Sequence, residues 1–134
     1  MEGCIFCKIA SGKIEDLRIW EDKNYVAFLD ISPFIKGHTL VIPKKHFRWI
    51  WDMNEEEYLD YFLAVRKTAE LLKKSFNTDC IQEFIVGMEV PHVHIHLLPR
   101  TKNDGFSEFP KKPLEPKPSE KEMREILEKI KRNL

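Results

Sequence analysis

Three of the five histidines in the chain occupy alternate positions in one run, Pro91-His92-Val93-His94-Ile95-His96-Leu97-Leu98-Pro99-Arg100. Imidazole has an ordinary pKa of about 6.5, so much of it is unprotonated and nucleophilic near neutral pH. Alternation with Val93, Ile95 and Leu97 predicts a strand over residues 90–98, half buried on one face. The three imidazoles would share the other face, each about 6.5–7 Å from the next, a row suited to one anionic ligand. Two plainer readings compete. A wet strand face would be served equally well by Thr or Lys, and three ligands in one row close poorly into a tetrahedral metal site.

The second constellation is Cys4-Ile5-Phe6-Cys7. A Cys-x-x-Cys pair is half a zinc site, a redox pair or chance. The redox reading wants a βαβ context, and none follows. Zinc needs two further ligands, which the histidines can supply. Cys80 stands alone and reads as a small buried hydrophobe. Three cysteines in such a chain argue against a disulfide framework.

The elements that must position these groups follow in order. A short helical turn begins near Ile5 and stops at Ser11-Gly12. Leu17–Glu21 and residues 25–31 are β-rich runs joined by Asp22-Lys23-Asn24, a hairpin. The run after Gly37, His38-Thr39-Leu40-Val41-Ile42-Pro43, reads as a strand covered on both faces. Asn54 opens a long helix as N-cap, with Glu57 at the capping-box position. Tyr58, Phe62, Val65, Ala69, Leu72 and Phe76 form its expected core stripe. Residues 81–87 make a fourth strand, with Gly87 as the turn into the histidine strand. Four prolines within residues 108–118 read as an extended linker without a core. Ser119-Glu120-Lys121-Glu122 then caps a terminal helix whose stripe is Met123, Ile126, Leu127 and Ile130.

At 134 residues the chain is read as one domain with an appended helix. With 22 basic and 22 acidic side chains and no basic stripe, nucleic acid is not an expected partner. No apolar run approaches a membrane span and no signal segment opens the chain, so the expected compartment is cytoplasmic.

Residues 92–98 match His-φ-His-φ-His-φ-φ, with φ apolar, and so resemble the histidine-triad (HIT) family of nucleotide hydrolases and transferases. Ile5-Phe6, Ala27-Phe28-Leu29-Asp30-Ile31-Ser32-Pro33 and residues 37–46 look like that family's other blocks, in its order. The resemblance implies an α+β fold: a five-stranded antiparallel sheet with a main helix, usually in a homodimer. The HIT domain would span residues 1–107, followed by the Pro-rich linker 108–118 and the C-terminal amphipathic helix 119–134.

The resemblance also implies the chemistry. His94 matches the nucleophile that attacks the α-phosphate, forming a nucleotidyl-histidine that water then cleaves. His96 and His38 are the candidates to receive phosphoryl charge. Asp30 matches the acid that holds ribose hydroxyls. Phe6, Ile9, Phe28, Ile31 and Leu40 suit a base pocket. Zinc-binding relatives imply Cys4, Cys7, His46 and His92 as ligands of a structural Zn²⁺. The expected substrate is a purine nucleoside phosphoramidate, with AMP released. A dinucleoside polyphosphate, to whose hydrolases Pro99-Arg100 is similar, and a non-catalytic nucleotide-binding or zinc-stabilised scaffold are the alternatives. The chain departs from the family at Met88 and Glu89, where a Gln and a hydroxyl donor to phosphate are usual, and a carboxylate there repels an anion.

Overall fold

A computed structural model describes residues 2–134. Its order is α1 (Ile5–Ala10), β1 (Leu17–Glu21), β2 (Tyr25–Leu29), β3 (Thr39–Pro43), a 3₁₀ turn (Ile50–Asp52), α2 (Glu55–Phe76), β4 (Cys80–Phe84), β5 (Ile95–Arg100) and α3 (Glu120–Lys131). The five strands form one antiparallel sheet in the order β1-β2-β3-β5-β4. This is the expected α+β architecture, and among the described residues no helix is long and apolar enough to cross a membrane.

Both faces of the central strands are covered, which explains their unbroken apolar runs. Ala27, Leu29, Val41, Ile95 and Leu97 join the main core with α2 and α3. Val26, Phe28, Leu40 and Ile42 point the other way and pack with Cys4, Phe6 and Ile9 of the N-terminal segment. At the β1–β2 turn, Asp22 Oδ1 accepts both the Asn24 and Tyr25 N–H groups at 2.8 Å, closing the expected hairpin.

The helix caps form as their residue types require. Glu57 N–H donates to Asn54 Oδ1 at 2.8 Å and Asn54 N–H to Glu57 Oε1 at 3.0 Å. Asn77, at φ 49°, ends α2 in the left-handed region that Asn tolerates. The buried stripe of α2 is rotated from the expected one: Tyr61, Ala64, Val65, Thr68, Leu71, Leu72 and Ser75 face the core, while Tyr58, Phe62, Ala69 and Phe76 flank it. Polar members are tolerated there because each hydroxyl is satisfied. Tyr61 donates to Val41 O at 2.6 Å, Thr68 to Ala64 O at 2.9 Å and Ser75 to Leu71 O at 2.8 Å.

The terminal helix folds back onto its own chain. Its Met123 and Ile130 are buried in the main core, and it lies against β1 and α2.

Three expectations need correction. β4 ends at Phe84 and β5 starts only at Ile95, so Gly87 is not a tight hairpin turn but part of a long crossing, at φ +70°. Pro91 has no N–H to give a ladder, and Val93 N–H instead donates to Phe47 O at 2.8 Å. His92 and His94 therefore precede the strand, and only His96 lies within it. Cys80, expected to be buried, is exposed at the start of the edge strand β4.

Candidate active site and metal cluster

The sheet supplies a floor. Phe28 pairs with Leu40, Leu40 with His96, and His96 with Phe84, so four strands contribute one continuous row of facing side chains. Helix α1 sets Phe6 over this row, 5.9 Å from the Phe28 ring and edge-on to His94 at 4.9 Å. A cavity of about 760 Å³ results. Its walls include every expected base-pocket and ribose residue, Phe6, Ile9, Phe28, Asp30, Ile31 and Leu40, together with His94 and His96.

Hydrogen bonding assigns the proton on each imidazole. His94 Nδ1 lies 2.9 Å from His92 O, and a carbonyl only accepts, so Nδ1 carries the proton and Nε2 keeps its lone pair. Phe34 N–H donates to His38 Nδ1 at 3.0 Å. His38 therefore carries its proton on Nε2 and donates it to His96 Nδ1 at 2.9 Å. That leaves His96 with its proton on Nε2, available to a ligand. His38, fully buried, stands behind His96 and is absent from the cavity wall. Its hydrogen bond from Nε2 holds the His96 ring in place.

Burial keeps these rings neutral. It pushes His38 down to about 3 and His96 to about 4, helped in both by neighbouring imidazoles. Burial likewise lowers His94, opposed by its bond to the His92 carbonyl and aided by the charge of Arg48. Asp30 Oδ2 lies 3.7 Å from His38 Nε2, but a His38 so depressed is uncharged and the contact is not an ion pair. Asp30 Oδ1 accepts the Ser32 N–H at 2.8 Å. Burial raises the Asp30 carboxyl above its ordinary value, against the Ser32 bond and the charge of Lys117.

Next to this cavity, Cys4, Cys7, His46 and His92 place one ligand atom each within 4.8 Å of all the others. His92 donates from Nε2 to Pro43 O at 2.9 Å, so its Nδ1 is a bare lone pair. That one nitrogen meets Cys4 Sγ at 3.3 Å, Cys7 Sγ at 3.4 Å and His46 Nδ1 at 3.2 Å. A single lone pair cannot serve three donors, whereas a shared cation would. Zinc bonds of about 2.0–2.1 Å to nitrogen and 2.3 Å to sulfur give tetrahedral edges of about 3.3 Å (N–N) and 3.6 Å (N–S). The four donors fit that figure, and the Pro43 carbonyl is the kind of outer partner that orients a ligating histidine.

Sequence reasoning missed the far wall. Phe109, Pro110, Lys111 and Pro113, from the stretch read as a linker, line the cavity beside Gln82, Glu83 and Phe84. Arg100 and Gln82 hold this segment at one end through the Glu108 carbonyl, at 3.3 and 2.9 Å, and Leu114 N–H ties the other end to Pro33 O at 2.8 Å. Phe84 was also missed, although it stacks on His96 at 4.4 Å. Its place opposite His96 in the strand register was the signal that could have found it.

The HIT domain model matches residues 11–103. An uncharacterized HIT-like protein of Methanocaldococcus jannaschii is 44% identical over 106 residues, covering 76% of this chain and 82% of its own. The adenosine 5'-monophosphoramidase of Schizosaccharomyces pombe is 34% identical over 118 residues, with 84% and 89% covered. The asymmetrical bis(5'-nucleosyl)-tetraphosphatase of the same yeast is 37% identical over 94 residues, 66% of this chain and 51% of that one. Among solved structures, a zinc-bound histidine triad family protein of Mycobacterium smegmatis superposes with a TM-score of 0.78 at 31% identity, covering 98% of this chain and 92% of that one.

Proposed function

This chain belongs to the HIT domain family, and from that premise we propose that it hydrolyses purine nucleoside phosphoramidates at the α-phosphate, releasing AMP. The observation that carries the reading is the proton assignment: a bare His94 Nε2 and a protonated His96 Nε2 side by side on one cavity.

Base and ribose lie over Phe28 and Leu40, with Asp30 accepting a ribose hydroxyl. His94 Nε2 attacks phosphorus, and the bond to the amine breaks as the new P–N bond forms. The amine takes its proton from solvent. His96 holds a non-bridging oxygen through Nε2–H while charge moves onto it. Its own Nδ1 is already filled by His38, so His96 serves as a fixed neutral donor. Water then attacks phosphorus, the bond to His94 breaks, and AMP leaves with one proton passing to solvent.

Arg100, the residue that speaks for a polyphosphate substrate in the sequence, is engaged elsewhere. It pairs with Asp104 at 2.7 Å and bonds Gln82 and the carbonyls of residues 106–108. This favours the phosphoramidate.

Cys4, Cys7, His46 and His92 would hold a structural Zn²⁺. It would supply a cross-link between the N-terminus, the segment after β3 and the approach to His94, and no chemistry at phosphorus. Incubation with adenosine 5'-phosphoramidate and diadenosine tetraphosphate side by side tests the reading. AMP from the first and little turnover of the second is expected; no AMP from either would end it.

A further inference from the structure

Residues 86–90, which border His94, contribute no side chain that can donate to a phosphate: they are Val86, Gly87, Met88, Glu89 and Val90. The segment's one charged group, Glu89, has the sign of the ligand. His96 alone is a thin complement for a phosphoryl dianion.

A cation stands directly beneath that segment. Arg48 lies with its guanidinium 3.7 Å over the Trp49 ring. Gly87 rests on this stack, since a Cβ there would meet Trp49 at 2.8 Å and Arg48 Nη1 at 3.7 Å. A second cavity of about 250 Å³ has Arg48, Trp49, Gly87 and His94 among its lining residues, which brings Arg48 and the nucleophilic histidine to one space. Stacking on indole stabilises the cation's face but leaves its in-plane N–H groups unused. Arg48 Nη1 is fully buried and, among the described residues, has no hydrogen-bond acceptor. Arg18 and Arg100, by contrast, are matched by Asp16 at 3.0 Å and Asp104 at 2.7 Å.

A buried donor on a cation without an acceptor is costly unless a ligand completes it. We propose that Arg48 is a specificity-determining residue that receives the anionic phosphoryl group of the nucleotide at His94, the task that residues 86–90 leave undone. The ligand class is a nucleoside 5'-phosphate or its amidate. The inference rests on the nucleotide reading above and names the group that recognises the charged part of that ligand.

Calorimetric titration of the full chain with AMP and with adenosine, in wild type, Arg48→Gln and Arg48→Lys, decides it. Adenosine fills the base and ribose subsites without the charge. Arg48→Gln is expected to weaken AMP by about tenfold to hundredfold, the range for a hydrogen bond to a charged group, and adenosine by less than about twofold. Arg48→Lys keeps the charge without the planar fork and falls between. Should Arg48→Gln fail to fold, Arg48→Lys carries the test: AMP weakens severalfold with adenosine unchanged. Equal losses for both ligands, or no loss for AMP, overturn the proposal. A wild type that binds neither ligand overturns the nucleotide reading itself, and the proposal with it.

Discussion

Among the histidines, residue type and spacing single out three for attention but do not say which way each points. Alternation treats His92, His94 and His96 as equivalent, yet a single hydrogen bond distinguishes each. His92 gives its proton to Pro43 O and turns its lone pair to the cysteines, while His94 gives its proton to His92 O and keeps the outward nitrogen bare. Those carbonyls come from backbone that a pattern of side chains does not describe. Arg48 was illegible for a similar reason, since nothing beside it in sequence reveals that Gly87 will lie on its stack. At this scale His94→Ala is expected to abolish turnover with the fold retained. The wild type should yield a nucleotidyl adduct at His94 in quenched single-turnover samples by mass spectrometry. An adduct elsewhere, or a mutant of full activity, would remove the mechanism.

At the level of elements, local capping and pattern signals found the three α-helices and five strands, although alternation started β5 too early, at residue 90 instead of Ile95. What failed was non-local. The α2 stripe was read from hydrophobicity, which discounts Tyr61, Thr68 and Ser75, although each is buried with its hydroxyl satisfied. The segment before the terminal helix read as a coreless linker because proline-rich composition carries no record of what it packs on, while the apolar stripe of the helix itself called for a packing partner. In the fold, Ile130 is fully buried in the main core, and Phe109, Pro110, Lys111 and Pro113 wall the cavity. Ile130→Ala is therefore expected to cost about 2–4 kcal/mol of stability, in the range for large-to-small core substitutions. Urea denaturation measures it, and a loss under about 0.5 kcal/mol would mean that α3 contributes little to the core.

For the whole molecule, three dependences follow from what is buried and what is not. Leu59 and Leu63 on α2 and Trp51 before it are exposed at 60% or more, an apolar surface that a second copy would cover. A homodimer is expected in sedimentation at micromolar concentration, and a monomer there counts against it. Metal analysis of protein purified without added zinc should give about one equivalent, and chelation should lower the melting temperature; a metal-free chain indifferent to chelators removes the cluster's role. Acid sensitivity comes from the histidines at the floor of the site. Burial and facing imidazoles hold His38 at about 3 and His96 at about 4, with Asp30 beside the first and His94 beside the second. In the unfolded chain both return to about 6.5, so between that pH and about 4 the unfolded state binds more protons. Stability is then present in full above about 6.5 and falls as pH drops toward 4. Asp30, whose carboxyl is raised by burial, works in the opposite sense. The net expectation is a lower urea midpoint at pH 5 than at pH 7, with the decrease reduced in His38→Asn, which removes one of the buried rings that exclude a proton. A midpoint unchanged between those pH values would mean that His38 and His96 titrate as ordinary exposed imidazoles, and that the fixed neutral donor assigned to His96 does not exist.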